Sequence, residues 1–216
     1  RREWYCPCDL HSPQSTAGGM IDIAVLASGS GTNLQALIDA PEVRRHLVLV
    51  VSDKPGAGAL DRAARAGIAT RVIQFKDYED RRAFSVAIAD AVEESGAKGV
   101  VLAGFMRVLS ADCIDRFPGR ILNVHPSLLP LFPGAHAVEA ALEAGVRTTG
   151  VTVHFVDEKV DHGPTIRQVE VPVLAGDDAG TLHDRIKEVE HRIYPEVVAG
   201  FVSGRISLDG DRLVEA

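Results

Sequence analysis

Two polar side chains close an apolar run, and they carry the first chemical signal. In Ile121-Leu122-Asn123-Val124-His125 the polar residues lie two apart, and residues i and i+2 of a strand share a face. An amide donor beside an imidazole suits a developing oxyanion together with proton transfer. The same pair also fits a plainer role, with Asn123 capping the strand and His125 bonding a carbonyl, and spacing does not choose between them. A second cluster is Asp157-Glu158-Lys159-Val160-Asp161-His162-Gly163-Pro164. By itself it reads as a solvated acidic turn. A carboxylate beside an imidazole would orient the ring and favour its charged form, but spacing does not bring Asp161 to His125. A third cluster, Ser28-Gly29-Ser30-Gly31-Thr32-Asn33, lies between an apolar run and a helical pattern. Small residues admit close backbone approach, and the free N–H groups of a helix start favour an anion. Asp53 follows the next apolar run, where a dinucleotide fold would place its ribose acceptor. Leu34 stands where the third glycine of that fingerprint belongs, however, and no Gly-Lys pair marks a P-loop. Phosphate without a dinucleotide is the better reading, with a dinucleotide site and a plain tight turn as alternatives.

These clusters need a frame that puts them at one edge. Ile21–Ala27, Leu47–Val51, Ala69–Gln74, Gly99–Ala103 and Ile121–Val124 read as strands. Helical patterns alternate with them: Leu34, Leu37 and Ile38; 57–66 closed by Gly67; Phe84, Ala87, Ile88, Ala91 and Val92; and a short one at 111–116. The alternation predicts an α/β fold, a doubly wound, mostly parallel Rossmann-like sheet with right-handed crossovers. Ligands of such sheets bind beyond the carboxyl ends of the strands, so 28–33, 53–58, 104–109 and 125–130 are the segments of interest. The pattern then changes. Residues 151–156 and 165–171 read as an antiparallel pair. Leu182, Ile186, Val189 and Ile193 mark a long helix, read as kinking at Pro195. Residues 205–208 and 212–214 read as a terminal hairpin turning at Asp209-Gly210.

Composition narrows the function classes. The net charge is −7, which argues against a nucleic-acid partner held through phosphates, though not against a small anion at one local site. No apolar run approaches the ~18 residues of a membrane span. Residues 1–19 lack periodicity and an apolar signal region; they read as an expression leader ahead of Met20, leaving 20–216 as a single domain. Cys6 and Cys8 fall in that leader without a second pair to complete a metal site. The remaining Cys113 permits no internal disulfide, and a reducing, cytoplasmic setting fits.

Four ordered motifs carry a family resemblance: Ser-Gly-Ser-Gly-Thr-Asn-Leu-Gln at 28–35, Leu-Ala-Gly-Phe-Met-Arg at 102–107, Asn-Val-His-Pro-Ser-Leu-Leu-Pro at 123–130 and Val-His-Phe-Val-Asp-Glu at 153–158. Together they resemble the phosphoribosylglycinamide formyltransferases of purine synthesis, from Met20 to about Gly204. The resemblance implies catalytic roles for Asn123, His125 and Asp161. It implies a substrate phosphate on Gly31, Thr32 and Asn33, with Lys187 and Glu190 on the ribonucleotide; without it those two charges would read as solvated. It implies a folate pocket from Arg81, Met106, Arg107, Val108, Leu109, Asp157 and Asp161. The implied co-substrates are 10-formyltetrahydrofolate and glycinamide ribonucleotide, with no metal, and the chain would act as a monomer or homodimer. Ala135 and His162 depart from the family pattern near the folate side. The rival readings are a formyltetrahydrofolate deformylase, which would carry a further N-terminal domain; a methionyl-tRNA formyltransferase, which would carry a C-terminal RNA-binding domain; and a non-catalytic nucleotide-binding module.

Overall fold

A computed structural model describes residues 20–210 and 212–216; the stretch read as a leader lies outside them. The strands are β1 (Ile23–Leu26), β2 (Leu47–Ser52), β3 (Ala69–Val72), β4 (Gly99–Leu102), β5 (Ile121–His125), β6 (Thr148–Phe155), β7 (Thr165–Pro172), β8 (Ile206–Asp209) and β9 (Arg212–Glu215). The helices are α1 (Thr32–Asp39), α2 (Pro41–Arg44), α3 (Gly58–Arg65), α4 (Arg81–Glu94), α5 (Ala111–Ile114), α6 (Ala137–Glu143) and α7 (Ala179–Val202), with a 3-10 turn at Phe75–Asp77. Seven strands form one sheet in the order β3-β2-β1-β4-β5-β6-β7. The first five are parallel, and β6 runs antiparallel to both of its neighbours, β5 and β7.

Alternation along the buried strands feeds two cores. Ile23, Val25, Val101, Leu122 and Val124 face α1, α3, α6 and α7, while Ala24, Leu26, Val100, Leu102 and Ile121 face α4 and α5. Each fully buried leucine or isoleucine contributes roughly 1.5–3 kcal/mol. The parity of β5 therefore sends Asn123 and His125 to the α4 side, away from α7. The strand order reverses between β1 and β4, so the loops that follow them part and leave a crevice. They touch where Ser28 N–H donates to the Gly104 carbonyl and Met106 N–H donates to Ser28 Oγ.

The predicted elements are present, with shifted ends. β6 starts three residues before the predicted strand, and α7 runs unbroken through Pro195 to Val202. α7 begins in a capping box between Asp178 and Thr181, a reciprocal pair of bonds that holds its first turn. The sequence reading missed α2 and α6, because each is too short to show a periodicity. Among the described residues no helix is long and apolar enough to cross a membrane.

The glycine loop is fixed by sterics. Gly31 has φ +74°, and a Cβ there would lie 2.6 Å from Ala59 Cα. Gly29 has open space around it. Gly31→Ala is expected to cost roughly 2–4 kcal/mol, from the left-handed backbone plus the clash, while Gly29→Ala should stay within roughly 1 kcal/mol. Denaturant unfolding of both variants checks this; equal costs would remove the α1–α3 contact as the reason for Gly31.

Candidate active site

β5 and β6 build the centre. Their antiparallel register sets Asn123 opposite His154 and His125 opposite Thr152. Behind them Thr152 Oγ1 donates to the Ser127 carbonyl and accepts from Leu129 N–H, and Gln168 Nε2 donates to the Leu129 carbonyl. The loop 126–130, which carries both prolines, is thereby pinned to β6 and β7. Asp161 returns from the loop after β6. That loop is tied down by Phe155 N–H donating to the Pro164 carbonyl at 2.9 Å. Gly163 is required there, since a Cβ would meet the Phe155 oxygen at 2.0 Å.

The carboxylate of Asp161 is surrounded by donors. Its Oδ2 accepts from Gly134 N–H at 2.8 Å and faces His125 Nδ1 at 3.4 Å. Its Oδ1 accepts from Asn123 Nδ2 at 3.4 Å and lies 3.8 Å from His154 Nε2. The Asp161 side chain is 10% exposed and that of His125 6%. Asp161 has φ +52°, a left-handed backbone that costs an aspartate about 1 kcal/mol or more. Gly134, Asn123 and His125 hold it there.

The two histidines are held in opposite ways. A carbonyl can only accept, so His125 Nε2 donates to the Phe132 oxygen at 2.9 Å and His154 Nδ1 donates to the Phe155 oxygen at 2.8 Å. His154 Nε2 is then free to accept from Asn123 Nδ2, 3.2 Å away. Burial pushes the His154 imidazole below its ordinary range, against the opposing pull of the Phe155 carbonyl and Asp161, so a neutral ring fits. One nitrogen of His125 bonds a carbonyl, as in the plainer reading of this residue, and the other faces a carboxylate. His154 lies inside the 153–158 motif, but nothing local marks it as part of the centre. The signal that finds it is the β5–β6 register, which no single strand displays.

A cavity of about 500 Å³ opens over this centre. Of the residues assigned to the folate pocket, Met106, Arg107, Val108, Leu109, Asp157 and Asp161 line it. Arg81 does not; it is exposed at the first turn of α4, behind the Asp80 cap. Ala135 lines the cavity, and its small side chain widens that wall. His162 is paired with Asp157 at 2.7 Å and is exposed. The cavity reaches α7 at Ala179, Gly180 and His183.

The residues assigned to the ribonucleotide gather beyond that end. Asn33 Nδ2 donates to Glu190 Oε2 at 2.8 Å, and Lys187 pairs with Asp184 at 3.1 Å. Glu190 is 4% exposed, so it is not the solvated charge that its local sequence alone would suggest. Along α7, His183, Lys187 and His191 recur at four-residue intervals and so share one face, about 12 Å long. It leads from the cavity to the glycine loop. Thr32, Gln35, Arg62, His191 and Arg192 line a second groove there. Arg62 braces the loop by donating to the Ser30 carbonyl at 2.9 Å. Arg62 and His191 were missed by sequence reasoning, because only folding brings them to 28–33.

The chain belongs to the formyl transferase family, whose model matches residues 21–198. It is 42% identical to phosphoribosylglycinamide formyltransferase of Escherichia coli, an alignment covering 89% of this chain and 96% of that one. It is 49% identical to the trifunctional purine biosynthetic protein adenosine-3 of Bos taurus over 86% of this chain, and it spans 19% of that relative's length. The crystal structure of glycinamide ribonucleotide transformylase 1 from Symbiobacterium toebii matches with a TM-score of 0.86 at 47% identity, covering 91% of this chain and 94% of that chain. The family uses a formyl-folate co-substrate.

Burial raises the Glu190 carboxyl above its ordinary range, partly offset by the Asn33 bond and Lys187. A raised carboxyl keeps its proton longer in the folded chain than in the unfolded one. Its contribution to stability is therefore full below the ordinary carboxyl range and is lost as pH rises through the folded value. Glu190→Gln should melt above the wild type at pH 8, with a smaller advantage at pH 5. Thermal melts at the two pH values check this; a Gln variant less stable at pH 8 would contradict the burial argument.

Proposed function

We propose that the chain transfers the formyl group of 10-formyltetrahydrofolate to the amine of glycinamide ribonucleotide, a step of purine synthesis. The observation that carries this reading is the nearly buried Asp161 carboxylate, bonded by Asn123 and facing His125 at the wall of the cavity. The pterin would lie against Val108 and Leu109, near the 157–161 loop. The ribonucleotide would run along the α7 face, its phosphate on Gly31–Asn33 and its ribose by Glu190. The amine and the formyl carbon would then meet at Asp161.

In the proposed reaction the substrate nitrogen attacks the formyl carbon, and the carbonyl π pair moves onto oxygen. The tetrahedral intermediate carries an oxyanion and an ammonium. Asn123 holds one amide hydrogen on His154 at 3.2 Å and meets Asp161 only at 3.4 Å with the other. The loosely held hydrogen is the one to turn to the oxyanion, and a proton on His125 Nδ1, also 3.4 Å from Asp161, is its counterpart. Donors already aimed at developing charge cost little reorganisation. Asp161 takes the proton released by the ammonium and passes it toward N10, directly or through water. The C–N10 bond breaks as that nitrogen is protonated, leaving tetrahydrofolate and the formylated amine. No step calls for a covalent enzyme intermediate. Cys113 lies buried in the α4–α5 core, and burial pushes its thiol up to about 12.

The test is folate-product absorbance with and without glycinamide ribonucleotide. Turnover that depends on the ribonucleotide supports transfer; equal turnover without it would favour a deformylase. Asp161→Ala should lower kcat by roughly 10²–10⁴, the usual worth of positioned acid–base groups. His125→Ala should cost a similar factor and the double variant little more, because groups acting as a unit are non-additive. Fully additive losses would separate the two residues.

A further inference from the structure

We propose that Asp53 is a positioning residue, holding the Arg107 guanidinium in register for a carboxylate on the tail of the formyl donor; this rests on the donor reading above. Asp53 occupies the place of a ribose acceptor in a dinucleotide fold, yet its partner is a cation. Its Oδ2 accepts from Arg107 Nε at 3.0 Å across the crevice between the β2 and β4 loops. The Asp53 side chain is 1% exposed, and its Oδ1 is buried with no hydrogen-bond partner. A buried carboxylate with one oxygen unpartnered is costly unless a cation is held against it, so the pair is a fixed feature of the crevice.

Arg107 is fixed on two sides. Asp53 takes its Nε, and the guanidinium carbon sits 5.0 Å from the centre of the Phe75 ring, within cation–π range. Its side chain is nonetheless 43% exposed and lines the cavity between the exposed Met106 and Val108. Among the described residues neither terminal nitrogen makes a hydrogen bond. That leaves the Nη fork, the part of arginine that grips a carboxylate through two parallel bonds. A folate ends in a glutamate, whose carboxylates lie at the opposite end from the pterin. With the pterin deep against Leu109, a tail leaving the cavity passes its exposed rim, where Arg107 stands. Asp53 cancels the charge of Arg107, so its effect is geometric: the fork is ordered before binding, and less side-chain freedom is lost when the tail arrives. Were charge alone at work, removing Asp53 would strengthen the grip.

The two accounts predict opposite signs. kcat/KM is measured with 10-formyltetrahydrofolate and with 10-formyltetrahydropteroate, which lacks the glutamate, and the ratio is the readout. The wild type should prefer the glutamate-bearing donor, and Arg107→Ala should remove the preference. Asp53→Ala should cut it about five- to tenfold. Asp53→Asn should keep more of it than Ala, since an amide oxygen still accepts from Nε. Adding Asp53→Ala to Arg107→Ala should change the ratio no further. An unchanged or increased preference in Asp53→Ala, equal losses on both donors, or a loss that adds to that of Arg107→Ala would overturn the inference. A wild type that turns over both donors without preference overturns it alone. A wild type that turns over neither overturns the donor reading and the inference with it.

Discussion

The Asp161 carboxylate is the anion around which the rest of the centre is arranged. It is nearly buried, and its backbone sits in a region that aspartate enters only at a cost. A buried carboxylate without donors costs several kcal/mol. Gly134 N–H, Asn123 Nδ2 and the His125 ring meet that cost together. The dependence runs both ways: those groups are aimed at one point because Asp161 stands there. An oxyanion forming beside it would meet hydrogens already convergent on negative charge.

Rigid elements hold that arrangement. Asn123 and His125 end a strand whose other face is packed into the α7 core, so their backbone cannot shift without disturbing Leu122 and Val124. His154 is held from β6 by the neighbouring backbone carbonyl, and it in turn holds the Asn123 amide. Asp161 lies on a loop, but Gly163 and the Phe155–Pro164 bond clamp that loop onto the end of β6. At the far end, Gly31 against Ala59 and Arg62 on the Ser30 carbonyl fix the glycine loop. The two ends are joined by one face of α7, a helix of 24 residues started by a reciprocal cap.

What could be read from the sequence follows from range. Apolar runs and helical stripes are local, so the parallel strands, the antiparallel pair and α7 were legible, and i, i+2 parity placed Asn123 and His125 on one face. The strand-end rule named segments 28–33 and 104–109, which do meet across the crevice. Contacts set by strand pairing were not legible. His154 faces Asn123 only through the β5–β6 register, Arg62 reaches Ser30 over 32 positions, and Asp53 reaches Arg107 over 54. Glu190 looked like a solvated charge because its partner Asn33 lies 157 positions away. Arg81 was carried over from the family pattern alone, and its place on α4 is outside the cavity lining.

Backbone carbonyls fix one protonated nitrogen on each histidine, Nε2 of His125 and Nδ1 of His154, with Asn123 giving its amide hydrogens to His154 and Asp161. Long-range proton–nitrogen correlation NMR on chain labelled with ¹⁵N at the imidazoles reads this directly. His154 should be protonated at Nδ1 and bare at Nε2 near neutral pH, while His125 should carry a proton at Nε2. A His154 protonated at Nε2 would contradict it. The Asn123 amide would then have to present its oxygen to His154, and Asp161 would lose Asn123 from its donors.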